Sequence, residues 1–348
     1  MARRRTSTAE RRPELRRAAT LADVARLAGV SAMTASRALN QPELVAPETA
    51  ARIRAAAERL AYVPNRVAGG LSSRKSHVVI AVIPSTLNPV FSEMVEALRR
   101  ELLRGGYELF LGLSDYASRR EDELVDTVIG RRPDAIVLTG VMHSPEVRWR
   151  LERAHIPVVE TWDLTASPID MLVGFSNEQV GRAAAEHLLS RGHSRLALVV
   201  ADDQRALLRR QGFAAALRER GLEVASEVIV RAPSTLGMAR DGLRRLVAMD
   251  AAIDGIFCSS DQLALGVLYE ASARAIAVPE RLAVVGFGNL SASAYSHPAL
   301  TTVAVDGDRV GREAARLILD RLAGQPGGPE TAARVIDVGS RVIARESA

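Results

Sequence analysis

Positive charge is concentrated in the first 75 residues of this 348-residue chain. That segment holds fourteen arginines and one lysine against six acidic residues, a net charge of +9, whereas the remainder has a net charge of −4. A basic segment on a slightly acidic body is typical of a protein in which one small part meets a polyanion. Nucleic acid is favoured as that polyanion, and a membrane surface and a solvated basic tail remain alternatives.

One short stretch within this basic segment carries side chains suited to reading bases. They are Ala32, Met33, Thr34, Ser36 and Arg37. Arg37 can donate two hydrogen bonds to guanine, the two hydroxyls suit phosphates or bases, and the apolar pair suits a thymine methyl. These roles require the second helix of a helix-turn-helix, whose N-terminal residues face the base edges. The exposed side of an ordinary helical hairpin is the alternative.

Helix signals around this stretch supply the required framework. Thr20 can cap a first helix with Asp23 three residues on, and Gly29 provides a permissive turn residue after it. Ser31 can cap a second helix, and Pro47 suits the first turn of a third. Two short helices joined by a tight glycine turn and followed by a packing helix predict a helix-turn-helix unit. The seven arginines before residue 20 predict a disordered basic arm.

The segment after the third helix, residues 64–75, is interpreted as a hinge. Pro64 ends the third helix, and Asn65 can cap a short helix that runs from Arg66 to Leu71. Two consecutive glycines inside it each cost roughly 1 kcal/mol relative to alanine, so the isolated helix is unstable. We expect it to form on DNA, with Leu71 wedged between base steps and Arg66 on phosphate. A flexible linker is the alternative.

Beyond residue 75, apolar strands alternate with amphipathic helices. The strand-like runs are HVVIAVI, YELFLGLS, AIVLTG, PVVET, LALVV, GIFCSS, LAVVGF and TTVAV. Such alternation predicts parallel sheets covered on both faces. The eight strands do not recur at one regular spacing, so they suit two open lobes better than one closed barrel. Because ligands bind beyond the carboxyl ends of strands in open sheets, the cleft between the lobes is the expected site.

The chain offers little for catalysis or metal binding. It has no nucleophile elbow, zinc-protease helix, P-loop or complete dinucleotide motif, and its six histidines form no i, i+4 pair. We therefore expect no enzyme activity, cofactor or metal. A single cysteine, Cys258, fits a reducing compartment, here the cytoplasm. No apolar run reaches the roughly 18 residues of a membrane span, and the basic N-terminus does not fit a signal peptide.

The stretch from Thr20 to Leu71 resembles the headpiece of the lactose-repressor/galactose-repressor (LacI/GalR) family of bacterial transcription factors. Three motifs carry the likeness in the right order and spacing: VSxxTxSRxLN, VxPETxxRI and YxPNxxAxxL. The resemblance implies a hinge that folds against its dimer mate on DNA. With it, the predicted DNA-contacting residues are Thr20, Ser31, Ala32, Met33, Thr34, Ser36, Arg37, Asn40, Tyr62, Asn65, Arg66, Ala68 and Leu71.

The rest of the chain resembles the same family's effector domain, which is similar to type I periplasmic sugar-binding proteins. The segments IPSTLNPVF, VVETWDLTASPIDMLVGFSN and VVGFGN, with TGxxH from Thr139 to His143, look like the gluconate-repressor branch. The resemblance implies that Arg209 stands at the position that binds the effector in this family. It also implies that Asp163 can accept hydrogen bonds from sugar hydroxyls. The implied effector-binding residues are Asn88, Phe91, Asp163, Arg209, Ser260, Asp261 and Asn289.

Two departures from the family pattern bear on the ligand. Where many sugar-binding members have Tyr-Asp-Asp after the VVG strand, this chain has Phe-Gly-Asn ending at Asn289, and Ser260 replaces the usual asparagine. Losing a carboxylate while keeping Arg209 favours an anion, so a sugar acid or phosphosugar is expected over a neutral sugar. For Asp261, an N-cap of the following helix is at least as good an interpretation as ligand binding.

We therefore expect an α/β protein: an N-terminal helix-turn-helix headpiece plus a type I periplasmic-binding-protein-like body of two doubly wound parallel-sheet lobes. The expected bounds are 1–19 for the arm, 20–63 for the headpiece, 64–75 for the hinge and 76–348 for the effector-binding and dimerisation body. Within the body, the first lobe is expected at about 76–175 plus 303–325 and the second at about 176–302 plus 326–346.

The expected function is that of a ligand-controlled repressor of sugar or sugar-acid (gluconate-like) utilisation genes. It would bind a pseudo-palindromic double-stranded DNA operator as a homodimer or tetramer, contact no membrane, and be released by a small carbohydrate effector. A sugar-transport binding protein would explain only the body, and a sugar-modifying enzyme would not explain the basic head. A regulator whose cleft is controlled by a protein partner stays open.

Overall fold

A computed structural model of the chain describes residues 18–63, 75–86, 89–324 and 334–348. Contacts divide the chain into two compact units, Met1–Ser76 and His77–Ala348. In its described part the first unit is helical, and the second unit is α/β.

The first unit is built from α1 (Leu21–Ala28), α2 (Ala32–Asn40) and α3 (Pro47–Arg59), with one 3₁₀ turn between α2 and α3. Small apolar side chains from all three helices form its core, which includes Val24, Ala25, Ala28, Ala35, Ala38, Ala50, Ile53, Ala56 and Ala57. Short residues at these positions let the helices approach closely. The three predicted helices are confirmed at the predicted positions.

The first lobe of the second unit alternates strands and helices along the chain. Its elements are β1 (Val78–Ile83), α4 (Ser92–Arg104), β2 (Glu108–Leu113), α5 (Ser118–Gly130), β3 (Ala135–Thr139), α6 (Pro145–Ala154), β4 (Val158–Thr161) and β5 (Met171–Gly174). Two later elements return to this lobe: α12 (Gly307–Leu322), which packs on α4, and β11 (Arg334–Asp337).

The second lobe repeats the same alternation. Its elements are α7 (Asn177–Ser190), β6 (Leu196–Ala201), α8 (Gln204–Arg218), β7 (Ser226–Val230), α9 (Leu236–Met249), β8 (Gly255–Cys258), α10 (Asp261–Ala273), β9 (Ala283–Phe287), α11 (Ser291–Ala294), β10 (Thr301–Ala304) and β12 (Arg341–Ile343).

Each lobe contains one six-stranded sheet. The orders are β11-β5-β4-β3-β1-β2 and β12-β10-β9-β8-β6-β7, and among the described strands every pairing is parallel except that of β10 with β12. In both lobes the first strand lies between the second and the third, so the connecting helices cover both faces. Every residue of β3, β4, β6, β8 and β9 is buried, as expected for strands covered on two faces. The predicted two-lobed architecture is confirmed.

The structure differs from the expected lobe bounds near the C-terminus. The prediction assigned 326–346 to the second lobe, but β11 pairs in parallel with β5 of the first sheet, from Arg334 opposite Met171 to Asp337 opposite Gly174. The chain therefore crosses to the second lobe between Asp337 and Arg341, where β12 joins β10. A four-residue strand ending in charged residues gave no apolar run that would have marked its lobe.

Candidate nucleic-acid interface and ligand cleft

Capping fixes α2 and α1 in the arrangement that the sequence predicted. Thr20 and Asp23 form a reciprocal capping box at the start of α1, and Gly29 ends that helix with φ 65°. A left-handed residue is costly for any side chain with a Cβ, which explains glycine at this turn. The Ser31 hydroxyl accepts from the Thr34 amide and starts α2.

Most of the predicted base-reading residues of α2 lie on its outer side. Ala35 and Ala38 are buried against the other helices, while Ala32, Met33, Arg37 and Asn40 are exposed and Thr34 and Ser36 are partly buried. Met33 is 73% exposed, which is unusual for so large an apolar side chain. Arg37 forms no ion pair with a described residue. This side of α2 therefore combines an unpaired guanidinium with small polar and apolar groups.

The other predicted DNA contacts have mixed positions. Thr20 and Ser31 are helix caps, Tyr62 packs partly against the headpiece core, and Asn40 donates through Nδ2 to the Ser36 carbonyl at 3.0 Å. The hinge residues Asn65, Arg66, Ala68 and Leu71 lie outside the described residues, as do residues 1–17 of the basic arm and the cleft residue Asn88.

In the second unit, the carboxyl ends of both sheets face a shared cleft. Residues that directly follow β1, β2, β3 and β6 line a cavity of about 240 Å³. Its lining is mostly polar and includes Ser114, Tyr116, Glu121, Asp122, Thr139, His143, Asp203 and Arg205. A smaller cavity of about 20 Å³ adjoins it, and both cavities share Tyr116, Asp203 and Arg205. We call these the large and the small compartment of the cleft.

Arg209, the predicted effector anchor, lines the small compartment. Its side chain is buried, its Nη1 donates to Asn177 Oδ1, and its guanidinium carbon lies 4.3 Å from the centre of the Phe287 ring. Its Nε has no partner among the described residues, and burial lowers the pKa of this guanidinium to about 10. A buried cation with an unused donor beside a cavity is suited to binding an anion.

Phe91 and Asp163 stand close to this arginine with different surroundings. Phe91 lines the small compartment and meets Trp162 edge to face, with ring centres 5.1 Å apart. Asp163 is buried beside it; burial raises the pKa of its carboxyl, while the Leu164 amide and the Asn177 side chain oppose that shift. Phe91 forms a wall of the small compartment, whereas neither compartment includes Asp163.

Asn177 is a site residue that the sequence reading missed. It is buried at the first position of α7, donates to the Trp162 carbonyl at 3.0 Å and accepts from Arg209. Its position directly after the β5 strand and the Ser176 cap was the available signal. Close helix packing holds the pair in place, because a Cβ added to Gly181 of α7 would lie 1.8 Å from the Arg209 carbonyl oxygen.

Asp261 needs correction, because it is neither the cap of α10 nor a cleft residue. Ser260 caps α10 through the Leu263 amide and also lines the small compartment. The Asp261 carboxylate is fully buried and accepts from the hydroxyls of Thr302 and Ser293 and from the Leu290 amide. Burial raises the pKa of this carboxyl. Asp261 therefore braces the loop after β9 against β10.

Asn289 also lies elsewhere than the resemblance implied. Its Oδ1 accepts from Arg345 Nη2 at 2.6 Å, and it lines a separate open groove together with Glu93, Asp306 and Arg309. Neither compartment of the cleft includes it. Asn289 and Asp261 are therefore not among the ligand contacts that we propose.

A buried charged cluster forms one wall of the large compartment. His143 Nδ1 lies 2.6 Å from Glu121 Oε1, and its Nε2 lies 3.4 Å from Glu160 Oε1, inside β4. Burial alone would lower the pKa of His143, but the two carboxylates outweigh it and raise the pKa to about 9. The histidine of the TGxxH motif is thus a charged link between α5, the loop after β3 and β4.

The described residues contain neither a candidate metal site nor a candidate membrane-spanning helix. Over residues 18–63, 75–86, 89–324 and 334–348, no group of three or more His, Cys, Asp and Glu side chains could hold a metal ion. Within those same ranges no helix is long and apolar enough to cross a membrane.

Comparison with known proteins assigns the family. Residues 20–65 match the model for bacterial regulatory proteins of the lacI family, and residues 185–348 match the periplasmic binding protein-like domain. The HTH-type transcriptional regulator GntR of Pseudomonas aeruginosa is 38% identical over 330 residues, which covers 94% of this chain and 95% of that protein. The chain belongs to the LacI family. It is a DNA-binding transcriptional regulator whose C-terminal part is a periplasmic binding protein-like domain.

Solved structures of LacI-family regulators have the same fold. A transcriptional regulator from Silicibacter pomeroyi matches with a TM-score of 0.88 at 30% identity, covering 94% of this chain and 99% of that one. The transcription regulator GntR from Chromobacterium violaceum matches with a TM-score of 0.73 at 35% identity, covering 78% and 98%. The predicted family membership of this regulator is therefore confirmed.

Proposed function

We propose that this LacI-family regulator represses genes for the use of a sugar acid or related anionic carbohydrate and is released from DNA by that compound. It acts in the cytoplasm and binds a pseudo-palindromic operator as a homodimer. The observation that carries the effector assignment is Arg209, a buried guanidinium with an unused Nε donor at the wall of a cleft cavity. A carboxylate or phosphate oxygen is the partner that such a donor lacks.

The large compartment suits the hydroxyl-bearing part of such a ligand. Carboxylates and hydroxyls line it, among them Ser114, Glu121, Asp122 and Asp203. These oxygens accept hydrogen bonds from sugar hydroxyls, whereas the arginines of the cleft attract the anionic end. A relative at 26% identity, CelR, has been solved as a complex with cellobiose, which supports a carbohydrate as the class of ligand.

The DNA-binding half of the proposal is supported by α2. Arg37 is exposed without an ion pair among the described residues, and Met33 is largely exposed beside it. Helices of this kind enter the major groove, where arginine reads guanine and apolar groups read thymine. One such helix covers few base pairs, so a second copy of the chain is needed for useful specificity.

The edge of the first sheet supplies a surface for that second copy. Strand β2 is the outermost strand, and Phe110, Leu111 and Leu113 are 57%, 44% and 37% exposed on it. Natural proteins cover or charge such apolar edges, because they otherwise pair with other chains. We propose that β2 lies in the homodimer interface.

Calorimetric titration of the full chain with D-gluconate, 6-phospho-D-gluconate and D-glucose tests the effector assignment. We expect at least one anion to bind and glucose to bind much more weakly. An operator selected from random-sequence DNA then allows release to be followed by fluorescence anisotropy, and the bound anion should release the operator. Equal binding of glucose, or anion binding that leaves DNA affinity unchanged, contradicts the proposal.

A further inference from the structure

Two arginines on one side of α8 enter the cleft without ion pairs. Arg205 and Arg209 are four residues apart, so they lie one turn apart on the same helix face. Elsewhere on α8, Arg210 pairs with Glu227 at 2.5 Å. Neither cleft arginine forms an ion pair with any described residue. Among the described residues, the helix therefore presents two positive charges without an ion pair where its face meets the cavities.

Arg205 differs from Arg209 in what it touches, because it reaches the opposite lobe. Its Nη1 donates to the Thr139 carbonyl at the end of β3, at 3.2 Å, and its guanidinium carbon lies 5.8 Å from the Phe91 ring centre. Gly140 allows this approach, since a Cβ there would lie 2.9 Å from Arg205 Nη1. Arg205 is thus a hydrogen-bonded bridge between the second lobe and the first.

Arg205 also stands between the two compartments of the cleft. It lines both the cavity of about 240 Å³ and the adjoining one of about 20 Å³, whereas Arg209 lines only the smaller. A ligand whose anionic group faces α8 therefore contacts Arg205, whether the remainder of the ligand lies in the large or in the small compartment. A backbone carbonyl is a weaker partner for a guanidinium than a carboxylate or phosphate is.

We propose that Arg205 is a latch between the lobes that an anionic effector releases. Its guanidinium holds the first lobe through the Thr139 carbonyl and the Phe91 ring. An anion binds the Arg205 guanidinium and displaces these two contacts. The same side chain therefore recognises the charge of the ligand and changes the position of the lobes. This role deepens the proposed function and depends on it for the ligand class, but the contact between the lobes does not depend on it.

Trp162 reports on the latch, because it lies 2% exposed in the small compartment beside Phe91. The chain has two tryptophans, and the other, Trp149, is 57% exposed on α6. In a Trp149→Phe background, Trp162 is the sole tryptophan. We expect Arg205→Gln to raise acrylamide quenching of Trp162 in the full-length, ligand-free protein, because the lobes lose a bridge.

The same variant tests whether Arg205 recognises the negative charge of the ligand. D-gluconate and D-sorbitol share a six-carbon polyol chain and differ in the carboxylate, so their affinity ratio measures what the charge contributes. Loss of one charge-assisted hydrogen bond predicts that Arg205→Gln lowers this ratio by about tenfold. Arg205→Lys, which keeps a point charge, should retain more of the ratio than Arg205→Gln does.

Arg218→Gln is the matched control, since Arg218 lies exposed at the far end of α8 and donates to Ala214 on its own helix. It should leave both measurements at their background values, and thermal melting should show all variants folded. Unchanged quenching or an unchanged ratio in Arg205→Gln overturns the latch. If the unmodified protein binds neither D-gluconate nor 6-phospho-D-gluconate, the effector class is wrong, and the quenching comparison still decides the latch.

Discussion

Glu160 places a fully buried carboxylate inside a central strand of the first sheet, and His143 is the cation that faces it. A buried charge without a partner is strongly destabilising, so the proton on His143 stabilises the folded state of this lobe. Ile169 completes the arrangement, because its amide donates to Glu160 Oε2 at 2.6 Å. The cluster thereby fixes the loop after β3 that carries the large compartment.

The raised pKa of His143 predicts how stability depends on pH. The folded protein holds this proton up to a pKa of about 9, above the usual 6.5 of the unfolded side chain. Its stabilising effect is therefore fully present below pH 6.5 and is lost as pH rises through about 9. We expect the gap in Tm between the wild type and His143→Gln to shrink from pH 6.5 to 9.5. A constant gap contradicts a charged histidine.

Arg37 is expected to contribute to operator binding and to base preference. As an exposed arginine on the outer side of α2 it is suited to bidentate contact with guanine. Arg37→Ala should cost about 1–3 kcal/mol of operator binding and relax the preference at one position of each half-site. Anisotropy titrations with operator and random DNA measure both. Equal losses on the two DNAs would mean that Arg37 contacts only phosphate.

Sequence reasoning located the cleft residues unevenly, for a physical reason. Arg209 and Phe91 were predicted at the cleft because their positions match motifs of the LacI/GalR family. Asn177 and Arg205 were missed, since their roles come from partners distant in sequence: Asn177 bonds the Arg209 side chain, and Arg205 bonds the Thr139 carbonyl. A motif identifies a position, but only the packed lobes show which side chain occupies the space opposite it.

The packing of α7 on α8 sets the geometry of the small compartment. Two glycines let the helix backbones touch: a Cβ on Gly181 would lie 1.8 Å from the Arg209 carbonyl oxygen, and one on Gly212 would lie 1.9 Å from the Glu178 carbonyl oxygen. Because the near atoms are backbone, a side chain cannot be accommodated by rotamer changes. The two helices would have to separate, and Asn177 would move away from Arg209.

We therefore expect Gly181→Ala to destabilise the protein by about 1–3 kcal/mol, the usual range for overpacking. It should also weaken binding of the anionic effector, since the Arg209 anchor is displaced. Gly237→Ala is the control, because its added Cβ would meet only the Thr235 hydroxyl at 3.8 Å. Chemical denaturation and calorimetry measure the two effects. A Gly181→Ala protein as stable as the control would show that the helices separate without cost.

The strands that the sequence reading missed are short or lie at sheet edges. All eight predicted strand runs form strands, but β5, β11 and β12 span four, four and three residues, and β7 is an edge strand that begins with Ser226 and Glu227. So few residues carry too little alternation to be told from a loop. Their neighbours in the sheet, and not their own propensity, make them strands.

The exposed edge of β2 predicts how two copies of the protein assemble. Leu111→Glu places a charge in the proposed interface, so it should shift the protein toward monomer and weaken operator binding. Trp149→Glu, at a similarly exposed apolar position of the same lobe, should do neither. Sedimentation at micromolar concentration measures the first effect and anisotropy the second. A dimeric Leu111→Glu protein would place the interface elsewhere.

Effector binding and operator binding are expected to be coupled, and a variant of Arg209 tests this coupling. If the effector weakens operator binding by some factor, the operator must weaken effector binding by the same factor, because linkage is reciprocal. Arg209→Gln removes the proposed anchor of the anion and leaves the residues of α2 untouched. We therefore expect a protein that binds the operator normally but is no longer released by D-gluconate. Thermal melting distinguishes this from damage to the lobe, since the buried guanidinium also bonds Asn177. A wild-type Tm with lost release supports the anchor, whereas a collapsed Tm, or release at wild-type concentrations, contradicts it.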